Sequence, residues 1–359
     1  MTSIRAGLAF LAACCLIEAP LSAQETRRTA TAKWAIAVHG GAGESEWEHM
    51  DAATAATYHA SLSRALNAGV EKLSRGGRAF DAVEAAINVL EDDPLFNAGR
   101  GAAFNAEGKN EMDASIMDGA TLQAGSVAGV SRAKNPITLA RAVMERSPYV
   151  MLAGPGTDAF AASVGLPQMP PSYFFTEMRW QELLQVLRKR GSPIPSRPAG
   201  VPTPPTSSLN TPPPRPFSPA HHYGTVGAIA RDSRGDLSAG TSTGGMQGKL
   251  PGRVGDSPII GAATYASNPF CAVSSTGVGE YFIRLSVAKE ICVLIQYRGM
   301  SIEQAASHVI HNEIAKLKGG EGGVIVLDSK QDPVWSFNTL GMFRARQVEG
   351  GAVQIEVGH

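Results

Sequence analysis

A threonine that opens a strand directly behind a glycine can act as a hydrolytic nucleophile if the chain is cut between the two. Thr225 holds that place in HHYGTVGAIARDSRGDLSAGTSTGG, residues 221–245. A hydroxyl nucleophile needs a base, and an N-terminal α-amine supplies one from the same residue. Its pKa near ~8 leaves a useful neutral fraction at physiological pH. Gly224 has no Cβ, so it tolerates the strained backbone that attack of the Thr225 hydroxyl on the preceding carbonyl demands. On this stretch alone the plainer reading also stands, with Thr225 as one more β-branched strand residue.

The elements that must position this threonine are legible on both sides of it. KWAIAV at 33–38 reads as a buried strand ended by HGGAG. Residues 51–75 read as an alanine-rich helix stopped by Gly76-Gly77, and Phe80, Val83, Ile87 and Leu90 as the apolar face of a second helix ended by Pro94. DPLFNAGRGAAFN is a loop, SVAGV a short strand, and Asn135-Pro136 the start of a helix with proline at its first position. Trp180, Leu183, Leu184 and Leu187 share one face of a helix ending in RKR. Eleven prolines in 191–222 then exclude ladder and helix alike, so that segment reads as a linker or loose tail. TVGAIAR and DLSAGTST form a hairpin across DSRG. Beyond come CAVSS as a strand, one helix carrying Ile283, Val287, Ile291 and Leu294, and a second opened by the capping box Ser301-x-x-Gln304. GVIVLD, VWSFN and VQIEV close the chain as strands. Helices paired between groups of strands favour an α/β (α+β) fold of two stacked sheets with helices outside over an alternating parallel one.

Composition narrows the partners. Of 359 residues 43% are apolar, and 32 cations balance 32 anions, which argues against nucleic acid and for local chemistry. MTSIRAGLAFLAACCLIEAPLSA, residues 1–23, has the order of a secretory signal peptide, which implies an exported, periplasmic or secreted protein. A lipobox reading of LAAC, with Cys14 lipidated, is the alternative. No later apolar run reaches the ~20 residues of a permanent membrane span. Past the leader only Cys271 and Cys292 remain, without a CxxC neighbour, and they read as buried free thiols. His39 has no second ligand at a metal spacing and reads as a turn or core histidine.

A rival nucleophile is Ser242, because GTSTG fits G-x-S-x-G, HGGAG resembles the oxyanion loop of lipases, and His308 or His311 follows as a base. A nucleophile elbow passes straight from strand into helix, and GGMQGKLPGRVG after Ser242 excludes that helix.

The downstream motifs TSTGG, KLPGRVGDSP and SSTGVGE decide between the readings of Thr225. With HGGAG, LFNAGRGAAFN, EMDASIMDG, AGSVAGV, NPI, GTVGAIA and FNTLGMFRA they resemble, in order and over nearly the whole mature chain, the plant-type asparaginase and isoaspartyl peptidase family of N-terminal nucleophile hydrolases. The resemblance implies a four-layer αββα sandwich, autocatalytic cleavage between Gly224 and Thr225, and subunits of 24–224 (with 191–224 as the proline-rich tail) and 225–359 folding as one domain. It implies hydrolysis of the side-chain amide of L-asparagine and of β-aspartyl dipeptides through an acyl-enzyme on Thr225. Thr243 would hold the nucleophile, Arg253 the substrate α-carboxylate and Asp256 its α-ammonium, while Thr276 and the Gly277 N–H would form the oxyanion hole. Asn97 would lie close to the nucleophile, with Gly245 and Gly279 lining the groove. No cofactor is required, though backbone carbonyls of Leu95, Phe96, Ala98 and Arg100 match a loop that holds a structural sodium ion in the family. A dimer of cleaved protomers follows from the same likeness. Glycosylasparaginase, which shares GRVGDSP, and an exported, non-catalytic aspartate-binding protein are the alternatives. Ala263 departs from the family pattern, standing where glycine is expected, and so does the proline-rich run ending in His221-His222.

Overall fold

The structure, a computed structural model, describes residues 32–43, 50–202 and 224–358. The leader, Cys14 and the His221-His222 pair lie outside the described residues. Eight strands make one sheet: β1 (Ala35–Ala42), β2 (Met112–Asp118), β3 (Ala124–Val130), β4 (Met151–Ala153), β5 (Thr225–Arg231), β6 (Leu237–Thr243), β11 (Met342–Val348) and β12 (Gln354–Glu356). Four make the other: β7 (Thr264–Ser267), β8 (Cys271–Gly277), β9 (Gly322–Leu327) and β10 (Val334–Phe337). The spatial orders are β12-β11-β1-β5-β6-β2-β3-β4 and β10-β9-β8-β7, antiparallel except for β3 with β4. β5 therefore lies inside the large sheet, between β1 from the far side of the chain and its hairpin partner β6.

Helices cover both outer faces. α1 (Ala52–Ser74), α2 (Ala79–Asp92) and α3 (Pro136–Arg146) lie on the large sheet, followed by α4 (Pro155–Ser163), α5 (Pro171–Phe174) and α6 (Glu177–Arg190). α7 (Gly279–Leu285), α8 (Val287–Arg298) and α9 (Ile302–Ser307) belong to the small sheet. The result is the expected αββα sandwich.

Strand periodicity explains the layering. Successive side chains leave a strand on opposite faces. Ile36, Val38, Val226, Ala228 and Ala230 join Leu62, Leu66, Val83 and Ile87 in the core under the helices, while Ala35, Ala37, Ile229, Leu237 and Ala239 meet Ala266, Ala272 and Ile325 between the sheets. Cys271, Val273 and Val324 face the other way, onto α8 and α9.

Three expectations are corrected. Cys271 and Cys292 are buried as expected, but they are bonded to each other, with Cα atoms 5.6 Å apart, because the outward face of β8 meets the inward face of α8. The helix read through Ile283 and Leu294 is broken at Ser286, whose φ of 50° places it in the left-handed region and separates α7 from α8. The described start of the proline-rich run is held, not loose: after Gly191 caps α6, Arg197 makes two 2.8 Å bonds to Glu177 and lies over the rings of Phe175 and Trp180. Among the described residues no helix is long and apolar enough to cross a membrane.

Candidate active site

Thr225 is the first residue of β5 and pairs with Thr243, the last of β6, which in turn opposes Asp113 on β2. Ile229 and Ala239 point between the sheets, so by the two-residue period Thr225 and Thr243 do as well. Thr225 Oγ1 donates to Thr243 Oγ1 at 3.1 Å, Thr243 Oγ1 donates to the Gly224 carbonyl oxygen at 3.4 Å, and the Gly245 N–H donates to Thr243 Oγ1 at 2.9 Å. One hydroxyl thus touches both the Thr225 side chain and the carbonyl just ahead of it.

The turn that carries Gly245 is clamped by Asn97. Its Nδ2 donates to Gly245 O at 2.8 Å, its Oδ1 accepts from the Ala103 N–H at 2.7 Å, and its own carbonyl accepts from the Gly244 N–H at 2.9 Å. A Cβ on Gly244 would lie 2.4 Å from Asn97 Oδ1, so glycine is required for that approach. Asn97 therefore positions the site and does not line it.

The cleft above Thr225 is bounded by Gly224, Thr243, Gly245, Arg253 and Asp256, with Gly277 on the opposite wall. Its free volume is about 10 Å³, room for roughly one water molecule, so the uncut chain has no space for an amino acid there. Arg253 and Asp256 are brought together, but not as a surface pair. Arg253 Nε and Nη2 donate to Glu280 Oε1 at 3.0 and 2.8 Å, and its Nη1 lies on the side of Gly245 and Gly255. Asp256 is buried, and its Oδ2 has no hydrogen-bond partner among the described residues. Burial pushes its carboxyl up to about 7, with Glu280 and Asp113 adding to the rise and Arg253 opposing it. Such an orphaned acceptor suits an incoming ammonium, which would supply donors and charge together. Gly279 stands against both groups, since a Cβ there would meet Asp256 Oδ1 at 2.8 Å and Arg253 Nη2 at 3.0 Å.

Thr276 is fully buried on β8, and its hydroxyl is likewise without a partner among the described residues. It leaves its strand on the same face as Ala272, between the sheets. Gly277 follows where a Cβ would lie 2.5 Å from Glu321 O.

The rival serine is placed elsewhere. Ser242 is fully buried on the helix side of β6 and donates to Glu91 Oε1 on α2 at 2.6 Å, closed to any substrate. Among the described residues no group of three or more His, Cys, Asp or Glu is arranged to hold a metal ion. At the loop expected to hold sodium, a Cβ on Gly101 would meet Phe96 O at 2.5 Å and Pro94 O at 2.8 Å, so of the four carbonyls named for that ion the Phe96 carbonyl faces this point. Oxygen donors of this kind fit a hard monovalent cation. Three residues of the site escaped the sequence reading: Glu280, which holds Arg253, and Asp113 and Lys249, whose charges face each other beside Thr243 and Gly245. All three sit inside or beside the quoted motifs EMDAS, KLPGR and TGVGE, which were the only signal for them.

A family model described as asparaginase matches residues 32–357. The chain belongs to the asparaginase family. Among its relatives, an isoaspartyl peptidase of Escherichia coli (strain K12) is 43% identical over 313 residues, covering 87% of this chain and 92% of the relative. A probable isoaspartyl peptidase/L-asparaginase of Arabidopsis thaliana is 39% identical over 331 residues, covering 90% and 98%. A human isoaspartyl peptidase/L-asparaginase is 37% identical over 316 residues, covering 88% and 93%. The asparaginase-family match spans both sides of Thr225, in keeping with a sheet built from strands before and after it.

Proposed function

We propose that this asparaginase-family chain is a threonine hydrolase that first cuts itself before Thr225 and then cleaves the side-chain amide of L-asparagine and the isopeptide bond of β-aspartyl dipeptides. The observation that carries it is the triangle of Thr225 Oγ1, Thr243 Oγ1 and Gly224 O. In the uncut chain the Thr225 hydroxyl attacks the Gly224 carbonyl carbon. Its proton passes to Thr243, whose own proton goes to the developing oxyanion. Collapse breaks the Gly224–Thr225 C–N bond, the proton ends on the freed amine, and an ester joins Gly224 to Thr225 Oγ1. Water hydrolyses that ester, leaving a Gly224 carboxylate and a Thr225 with free amine and free hydroxyl.

Departure of the segment ending at Gly224 would remove one wall of this narrow cleft, which Gly224 itself lines. The aspartyl substrate then places its α-ammonium on Asp256 and its α-carboxylate on Arg253, joining or displacing Glu280. Thr225 Oγ attacks the side-chain carbonyl, the α-amine carries the proton to the leaving ammonia or amino acid, and the Thr276 hydroxyl and Gly277 N–H stabilise the oxyanion. The same amine then activates water against the acyl-enzyme. In this reading the 24–224 and 225–359 subunits stay in one fold and pair as a dimer of cleaved protomers. A sodium ion on the backbone carbonyls of Leu95, Phe96, Ala98 and Arg100 would stiffen the loop that carries Asn97 and do no chemistry. Export as a periplasmic or secreted protein completes the reading, and the Cys271–Cys292 bond supports it, since such bridges persist in oxidising compartments.

Intact mass under denaturing conditions, beside ammonia release from L-asparagine and amino-acid release from β-aspartyl-leucine, tests the whole. Wild type should give two polypeptides, the smaller beginning TVGAIA, and both activities; Thr225→Ala should give one polypeptide and neither activity. A single uncut polypeptide with full turnover would refute the proposal.

A further inference from the structure

His39 is fully buried, and none of the steps above uses it. Its position follows from strand register. β1 and β5 run antiparallel with His39 opposite Gly227, and a Cβ on Gly227 would lie 2.3 Å from His39 Nε2 and 2.0 Å from Ser274 Oγ. The imidazole thus lies across the bare backbone of β5 and reaches the other sheet. Nδ1 is 3.0 Å from the Thr225 carbonyl oxygen, and Nε2 is 2.9 Å from Ser274 Oγ on β8. A carbonyl oxygen only accepts, so Nδ1 carries the hydrogen and Nε2 accepts from Ser274. Burial drives the ring pKa down to about 3 against the opposing bond to Thr225 O, which keeps the imidazole neutral and this tautomer in place.

The direction of that bond propagates. With the Ser274 proton directed to Nε2, Ser274 Oγ accepts from Thr241 at 2.7 Å, Thr241 from Thr264 at 2.7 Å, and Thr264 from Ser115 at 2.8 Å. All four hydroxyl residues are fully buried. They alternate between the sheets: Ser115 and Thr241 on β2 and β6, Thr264 and Ser274 on β7 and β8. Each spends its single proton on the next, so one self-consistent row of hydrogen bonds crosses the sandwich and ends on the carbonyl of Thr225. The Gly240 and Ser257 carbonyls, at 3.0 Å from Ser274 and 2.6 Å from Ser115, are the competing acceptors.

We propose that His39 is a positioning residue for the nucleophile, gripping Thr225 O from one ring nitrogen and Ser274 from the other, so that β5 and the strand bearing Thr276 and Gly277 keep a fixed offset across the sandwich. The proposal rests on Thr225 being the nucleophile. It adds that the distance between nucleophile and oxyanion donors is set from a side chain that touches no substrate. Small shifts at that distance are costly, since a displacement of about 1 Å can cost on the order of 100-fold in rate.

The test compares His39→Asn, whose amide N–H can take the place of Nδ1, with His39→Gln, whose longer side chain reaches the Nε2 position and leaves Thr225 O without a donor. Ser274→Ala, a smaller change, keeps the test open should either fail to fold. Self-cleavage is followed by intact mass, and kcat and KM for L-asparagine are expressed per freed Thr225 N-terminus. Expected are a fall in kcat of about 10- to 100-fold for His39→Gln with KM within about twofold, a fall of under about fivefold for His39→Asn, and an intermediate fall for Ser274→Ala. The pH limbs of kcat should stay where wild type has them, because the ring does not titrate in that range. The proposal is overturned if His39→Gln matches wild type in kcat, if Asn and Gln fall equally and only in step with lost thermal stability, or if a kcat limb moves as it would for a histidine base. Failure of the nucleophile assignment is distinguishable, since Thr225→Ala would then still turn over substrate.

Discussion

Acidification from pH 8 to pH 6 should cost this protein about tenfold in kcat/KM through Asp256 alone. Its carboxyl, pushed up to about 7 by burial, must be ionised to receive the substrate ammonium. With that pKa roughly nine-tenths of the free protein is competent at pH 8, half at pH 7 and one-tenth at pH 6. The sign is fixed by the chemistry: a raised carboxyl pKa moves the acid limb up from ~4 into the working range, and activity falls as pH falls through 7. Once substrate is bound, its ammonium favours the carboxylate and pulls the proton off, so the limb belongs to KM and not to kcat. In the proposed mechanism the freed amine of Thr225 acts in the chemical step, so its titration should mark kcat as well. Initial rates for L-asparagine release of ammonia, fitted for kcat and KM at half-unit steps between pH 5 and 9, separate the two. Asp256→Asn keeps the shape and removes the charge. It should lower kcat/KM by about 30- to 150-fold, the worth of a charge-assisted hydrogen bond of ~2 to 3 kcal/mol, and erase the limb near 7. A limb near 7 that survives in Asp256→Asn, or a wild-type limb at ~4, would refute the assignment of the ammonium to this carboxylate.

Glu91 gives a stability test away from the chemistry. Fully buried, it holds its proton up to about 8, whereas the unfolded chain loses it near 4.5. Between those values the folded state binds the extra proton, so wild-type stability should fall by ~1.4 kcal/mol per pH unit from this group, and Glu91→Gln should remove that slope in denaturant melts between pH 6 and 8. The Cys271–Cys292 bond should show as zero alkylated cysteines in the unfolded mature protein without reductant and two with it, and Cys292→Ala should cost about 3 kcal/mol in the same melts. Gly279→Ala would bring a methyl to 2.8 Å from Asp256 Oδ1, and it should raise KM for L-asparagine at least about tenfold while self-cleavage by intact mass proceeds unchanged.

Much of this site could be read from local pattern. TVGAIAR and DLSAGTST read as one hairpin across DSRG, the hairpin that carries Thr225 and Thr243, and the helices over 52–74 and 79–92 followed from their composition, periodicity and stops. What escaped was set by contacts distant in sequence or by exceptions to local preference. Cys271 and Cys292 bond because β8 packs on α8, which no spacing rule states. Ser286 breaks a helix from a left-handed conformation that serine rarely adopts, so the apolar register ran on through it. Glu280 at the start of α7 takes Arg253 from the loop after β6, and His39 meets Ser274 from the opposite sheet, pairs that only the folded chain brings together.

The place of β5 also governs what maturation leaves behind. It runs between β1 and β6 and bonds to both, so the proposed scission ahead of Thr225 would break covalent continuity without opening an edge along which the pieces peel apart. With the proposed cut made, the two fragments would stay laced through a common pleated layer, because strands from before and after Thr225 alternate across it.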